Sequence, residues 1–235
     1  MDALLVVDSI SKVHGMVTAL DRVRFSVEGG EILGLIGPNG AGKTTLLECL
    51  SGLIPCDGGH VLWRGSELPP HRRKEQMFYL PDGVKPYGDQ SVKAVLDFFR
   101  SAFAVPDEER QKTVKDLSLD SVLRKRIDAL SKGYLRRVML SICLLAPQPL
   151  LILDEPFDGF DLRQTRMVMT LLRPLVAAGK TLLLSVHQLT DAERICNRFV
   201  LLSEGQVRGI GSLDELRKQA TLPHGTLEEV FLALT

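Results

Sequence analysis

The sequence has no excess charge of either sign: 29 lysines and arginines balance 29 aspartates and glutamates over 235 residues. No global field therefore favours nucleic acid or an anionic membrane surface. The short basic runs, His71-Arg72-Arg73-Lys74 and Arg124-Lys125-Arg126, read as solvated faces. There are only four cysteines, Cys49, Cys56, Cys143 and Cys196, and no C-x-x-C pair. No disulfide framework or cysteine-spaced zinc site is expected, and the four read as buried reduced thiols of a cytosolic protein. No apolar run approaches the roughly 18 residues of a membrane span. The nearest, Val138 to Leu153, is broken by Pro147, Gln148 and Pro149, and reads as a buried helix, a turn and a buried strand. The N-terminal Met-Asp-Ala-Leu-Leu-Val-Val-Asp lacks a basic region and a cleavage signal, so no leader is expected. Repeats and low-complexity linkers are also missing.

What is present suffices for one domain, or for a core with a subdomain. Residues 37–45 read Gly37-Pro38-Asn39-Gly40-Ala41-Gly42-Lys43-Thr44-Thr45. Gly37, Gly42, Lys43 and Thr44 fill the fixed positions of a phosphate-binding loop. Glycines let backbone N–H groups turn inward around phosphates, and the following helix aims its positive end at them. Lys43 supplies a point charge, and the Thr44 hydroxyl is a Mg²⁺ ligand. Glu31-Ile-Leu-Gly-Leu-Ile36 before the loop reads as a buried strand; Leu46, Leu47 and Leu50 after it have helical spacing.

Short β patterns occupy residues 4–30, with a turn at His14-Gly15. Gly58 to Gly65 reads as a short edge strand bounded by glycines, with Trp63 as packing. From about 91 to 146 the pattern is helical. Ser91 is a candidate N-cap for a stripe of Val92, Val95, Leu96, Phe99 and Phe103. Pro106 interrupts it, and the charged stretch Asp107 to Lys115 looks exposed. Another helix begins near Lys132, with Leu135, Val138, Met139, Ile142 and Cys143 on one face. Leu150–Leu153, Thr181–Ser185 and Phe199–Leu202 are continuous apolar runs, as parallel strands buried on both faces require. Thr190-x-x-Glu193, Ser212-x-x-Glu215 and Thr226-x-x-Glu229 match the capping-box pattern. The expected layout is an α/β core over about 1–84 and 147–212, a helical insertion over 85–146, and a helical tail over 213–235.

Asp154 and Glu155 end the run that begins at Leu150. Ligands sit at strand C-termini in open α/β sheets. Successive residues point in different directions, so the two acids take different tasks. Asp154 suits holding Mg²⁺, directly or through water, and Glu155 suits polarising an attacking water. Leu130-Ser131-Lys132-Gly133-Tyr134 then opens a helix with Ser and Gly at an anion-binding end.

With these motifs in this order and spacing, the chain resembles the nucleotide-binding subunit of an ABC transporter over essentially its whole length. The resemblance implies a RecA-like P-loop NTPase core with a mostly parallel sheet, an N-terminal antiparallel β region and an inserted helical subdomain. It implies Mg²⁺-dependent ATP hydrolysis coupled to transport. Two subunits are expected to pair head to tail, each ATP lying between one phosphate loop and the partner's signature. Ser131 and the Gly133 N–H would then touch the γ-phosphate in trans. Asp161 falls at the position that communicates across the dimer, and His187 at the switch position near the γ-phosphate. All these positions are filled, so a homodimer would have two equivalent sites. A separate transmembrane permease subunit would place the chain at the cytoplasmic face of the membrane.

Three departures qualify the likeness. Asp82 stands where the family usually has Gln, and is expected to keep a metal-linked role and tune turnover. His14 stands where the adenine-stacking aromatic usually is; imidazole stacks with less π surface. Lys132 and Tyr134 replace a common Gly and Gln in the signature. The variant signature, the acidic loop residue and the ending Thr226 to Thr235 resemble the bacterial ABC-2-type exporter branch. Two other functions fit the sequence less well. A non-transport ABC ATPase acting on ribosomes or DNA is disfavoured by the single domain, the absent heptads and the zero net charge. A nucleotide-gated binding module is disfavoured by Glu155 and His187.

Overall fold

The central strands are buried on both faces, which accounts for their unbroken apolar runs. In the computed structural model, which describes residues 3–235, β3 (Ile32–Ile36) puts Leu33 and Leu35 into one core and Ile32 and Ile36 into another. β7 (Leu150–Asp154) and β8 (Thr181–Ser185) divide their leucines in the same alternating way. With β6 (Met77–Leu80), β9 (Arg198–Ser203) and β10 (Gln206–Gly211) they form a six-stranded sheet of order β10-β9-β3-β8-β7-β6. All its pairings are parallel except β10 on β9.

A second, antiparallel sheet covers one face. Its order is β2-β1-β4-β5, from β1 (Ala3–His14), β2 (Val17–Glu28), β4 (Gly58–Trp63) and β5 (Ser66–Glu67). β4 is therefore not an edge strand: it pairs with β1 on one side and with the two-residue β5 on the other. Trp63 packs half-buried against the core beneath, as a packing residue should. Between the sheets runs α1 (Lys43–Ser51), burying Leu46, Leu47, Cys49 and Leu50. α2 (Arg73–Gln76) leads into β6.

The other face carries helices. α3 (Val92–Ala102) is capped by Ser91, whose Oγ accepts from the Ala94 N–H at 3.1 Å. Val92, Val95 and Leu96 are buried, with Phe99 and Phe103 packed against the same core. The charged stretch after Pro106 is α4 (Asp107–Asp116), and it buries Thr113 and Val114. α5 (Lys132–Leu145) follows Ser131 and packs on α3 and α4. The tail forms α8 (Leu213–Gln219) and α9 (Leu227–Leu234), after α6 (Leu162–Ala177) and α7 (Leu189–Ile195).

Two of the three anticipated capping boxes form, at Ser212–Glu215 and Thr226–Glu229. The third does not. α7 begins two residues early, at Leu189 after Gln188, so Thr190 lies inside it. Glu193 accepts instead from the Leu227 N–H, tying α7 to α9. A further box, Asp161–Gln164, caps α6. Replacing Ser212 with alanine is expected to destabilise the protein by about 1 kcal/mol, which calorimetry would register as a lower Tm.

All four cysteines are free. Cys49 and Cys143 are buried, but Cys56 and Cys196 are only half-buried. A hydrogen bond from the Cys49 thiol and the Arg73 guanidinium hold the Cys56 thiol below its ordinary range. The same pairing, with burial, pushes Cys49 up. Among the described residues no helix is long and apolar enough to cross a membrane. Met1 and Asp2, part of the N-terminal segment read above for a leader, lie outside the described residues.

Candidate nucleotide site

Parallel strands end at the same sheet edge, so this topology gathers chemistry from distant parts of the chain. β3 runs into the 37–42 loop, β7 ends in Asp154 and Glu155, β8 ends in Ser185, and β6 leads to Asp82. Together they border a cleft of about 660 Å³. Pro38, Asn39, Gly40, Gly42, Lys43, Thr44 and Thr45 line it, with Asp82, Asp154 and Glu155 opposite.

The loop needs its glycines for space as well as for conformation. Gly42 has φ +101°, and a Cβ there would fall 2.5 Å from the Ala19 carbonyl oxygen. A Cβ on Gly37 would fall 2.3 Å from the Leu202 carbonyl oxygen. Ala41 is buried in the core below the loop. Lys43 is 7% exposed and curls back over the loop, its Nζ donating to the carbonyls of Gly37 at 2.7 Å and Pro38 at 3.2 Å. The same Nζ lies 4.0 Å from Glu155 Oε1. A buried ammonium held by two neutral carbonyls gains from a denser anion, which a polyphosphate supplies.

The carboxylates are held by a chain of hydroxyls. Thr44 Oγ1 donates to Asp154 Oδ2 at 2.8 Å. Ser185 Oγ donates to Asp154 Oδ1, and accepts from the Glu155 N–H at 2.9 Å. The Tyr79 hydroxyl reaches Asp154 Oδ2 at 3.4 Å. Burial and the Asp154 charge push the Tyr79 phenol up, so it remains a donor. Burial raises the Glu155 carboxyl above its ordinary range, while Lys43 and His187 oppose the shift. Its backbone is in the left-handed region, φ +49°, a cost of about 1–3 kcal/mol that surrounding contacts must offset.

Other residues singled out in the sequence fall nearby or elsewhere. Asp82 lines the cleft, but its Oδ1 is 3.1 Å from Arg136 Nη2. His187 borders a small cavity behind Glu155, with Phe157, Asp158 and Asp191. Ser131 caps α5, its Oγ accepting from the Tyr134 N–H at 3.4 Å. Among the described residues, those lining the 660 Å³ cleft do not include Ser131 or Gly133. Asp161 caps α6 through the Gln164 N–H at 2.8 Å. His14 stands exposed at the end of β1, paired across the hairpin with Val17. Val17, Thr18 and Ala19 line the cleft where His14 was expected to stack; among the described residues the lining does not include His14.

Ser185 and Arg136 join the site without having been singled out for a role in the sequence. Ser185 had a visible signal, a small polar residue ending a run of leucines at a strand C-terminus. Arg136 had none, because its partners lie 18, 19 and 54 residues away in the chain.

Comparison with known proteins agrees with this geometry. The ABC transporter family matches residues 20–158. The chain belongs to that family: it is an ABC transporter ATP-binding subunit, and it hydrolyses ATP in the service of transport. It is 30% identical over 239 residues to the ABC-type transporter ATP-binding protein EcsA of Bacillus subtilis (strain 168), covering 99% of this chain and 97% of that one. It is 33% identical to Nod factor export ATP-binding protein I of Ralstonia nicotianae, covering 91% and 68%. A solved ATP-binding subunit of an ABC transporter superposes with a TM-score of 0.89 at 32% identity, covering 98% and 99%.

Proposed function

We propose that two copies of this chain pair head to tail around two ATP molecules with Mg²⁺ and drive export through a separate membrane permease. The observation that carries this reading is the convergence of Lys43, Thr44, Asp154 and Glu155 on one strand-end cleft.

Thr44 Oγ1 and Asp154 Oδ2 are hard oxygen donors already in contact. That suits Mg²⁺, which takes few protein ligands and keeps several waters. Held by Thr44 and Asp154, the ion would neutralise the charge that develops on the phosphate. Asp82 contributes through that water shell, with Arg136 holding one of its oxygens. Lys43 exchanges its two carbonyl acceptors for phosphate oxygens. Glu155 takes the proton of the attacking water; burial makes it a stronger base than a free carboxylate. His187, which lines a small cavity with Glu155, serves as the switch for the γ-phosphate. Ser131 and Gly133 serve the partner's nucleotide, and Asp161 reports closure across the dimer. The base packs on Val17. Residues 85–146 form the lobe that transmits closure.

The permease docks on the helical lobe, where Pro86, Tyr87, Ala94 and Phe98 border an apolar groove. Tyr87 is 86% and Phe98 66% exposed, a patch that needs a partner. The likeness to a Nod factor export protein supports the export direction. The test is to purify the tagged Glu155→Gln chain from its native cell in mild detergent with ATP and Mg²⁺. A stoichiometric polytopic membrane protein should accompany it, and Phe98→Asp should lose that protein at unchanged Tm. Recovery of the chain with ribosomes alone would overturn the transport coupling.

A further inference from the structure

The family signature contains Ser131 and Gly133, and Glu155 directly follows β7. Between them stands a side chain that neither motif explains. Arg136, one turn into α5, is 8% exposed. Its Nη2 donates to the Asp154 carbonyl at 3.3 Å and to the Glu155 carbonyl, and lies 3.1 Å from Asp82 Oδ1. Its Nε is buried and has no hydrogen-bond partner among the described residues. A buried guanidinium with an unmet donor is costly. A purely structural tie between α5 and β7 would be made more cheaply by apolar packing.

Its target explains what it does. Glu155 is held in the left-handed region, where a non-glycine residue does not stay unaided. Each end of its peptide unit is secured. The N–H donates to Ser185 Oγ at 2.9 Å. The carbonyl accepts from Arg136 and from the Asp158 N–H at 3.1 Å. Ser185 comes from β8 and belongs to the rigid sheet. Arg136 comes from α5, the helix that opens at the signature. A second tie from the same helix end holds the same loop: Lys132 Nζ lies 2.7 Å from Asp158 Oδ2.

We propose that Arg136 is a positioning residue for ATP hydrolysis. It fixes the backbone of Glu155 through the carbonyls of Asp154 and Glu155, and Asp82 holds its guanidinium in place. The direction of the Glu155 carboxyl therefore depends on where α5 sits against the sheet. Because α5 carries Ser131 and Gly133 at its start, engagement of the signature and alignment of the acid become one event. Asp82, at the start of the loop after β6, supplies the third point of the clamp. The inference rests on the assignment of Glu155 as base.

The experiment compares Arg136→Gln, Arg136→Lys, Asp82→Asn and Glu155→Gln in the full chain. A large drop with Glu155→Gln alone tests the base assignment separately. In nucleotide-free protein, Arg136→Gln should speed amide hydrogen exchange across 155–160, where the Asp158 N–H loses a fixed acceptor. The same variant should lower kcat by about tenfold to a hundredfold, the range that a misplacement of about 1 Å produces. KM for ATP should change by less than about threefold, because no phosphate contact is removed. Arg136→Lys, whose ammonium still donates to a carbonyl, should recover part of both effects. Asp82→Asn should show the same pattern more weakly. In a Glu155→Gln background, Arg136→Gln should cause no further fall in kcat, since the group it aims is gone. The proposal is overturned if exchange at 155–160 is unchanged. It is also overturned if kcat falls only in step with Tm and KM, or if the double variant loses activity additively.

Discussion

Glu155→Gln is expected to lower kcat by about 10²- to 10⁴-fold, the usual contribution of a positioned general base, and at the same time to raise Tm. The two effects have one cause. Burial raises the Glu155 carboxyl above its ordinary range, so the folded protein binds that proton more tightly than the unfolded chain does. The sign follows from linkage: above the folded pKa the ionised carboxylate weakens the fold, and the penalty fades as pH falls below the ordinary value of about 4.3. Glutamine removes the penalty and keeps the shape. The Tm gain over the parent should therefore be larger at pH 7.5 than at pH 4, by calorimetry at both. Hydrolysis itself should fall as pH drops through the raised pKa, since the base must be deprotonated to act. Its acid limb should lie above the range of an exposed glutamate. Phosphate release measured from pH 5 to 8 checks this, and a rate for Glu155→Gln within threefold of the parent would remove Glu155 from the role of base.

Lys43→Met is expected to weaken ATP binding by about a hundredfold or more. Methionine keeps the unbranched stem that α1 packs, so the helix should form. What is lost is the ammonium that now sits on the Gly37 and Pro38 carbonyls and 4.0 Å from Glu155. A charged hydrogen bond contributes roughly 1.5–3 kcal/mol, and two to phosphate oxygens correspond to two decades or more in Kd. Titration calorimetry with a non-hydrolysable ATP analogue measures the change. A Kd within threefold of the parent would show that backbone amides alone hold the phosphates. Removal of Lys43 should also lift the Glu155 carboxyl further, because Lys43 is the largest influence opposing its burial. The acid limb of any residual hydrolysis should move to higher pH.

Signals confined to a few residues were legible without coordinates. The glycines of the phosphate loop, the Ser91, Ser212 and Thr226 caps, and the two-faced burial of Leu150–Leu153 and Thr181–Ser185 all act within one turn or one strand. Each is decided by local backbone geometry or by a period of two. Where the pattern was shared between alternatives, it misled. Thr190-x-x-Glu193 has the spelling of a capping box, but α7 starts two residues earlier and Glu193 is taken by the Leu227 N–H. Gly58–Gly65 has the glycines of an edge strand, yet β5 covers its outer side.

The order of the chain by itself determined that a phosphate loop, two strand-end carboxylates and a Ser-x-Gly helix start would occur in one α/β domain, because each is written in adjacent residues. Only the tertiary structure decided how they meet. Strand order placed Ser185 of β8 beside Asp154 of β7, so that one hydroxyl links both acids. The fold brought Val17, Thr18 and Ala19 of β2 to the cleft. The packing of α5 brought Arg136 onto Asp82 and the Glu155 carbonyl. These contacts span tens of residues and are fixed by which faces must be buried together, a property of the whole core that no local pattern contains.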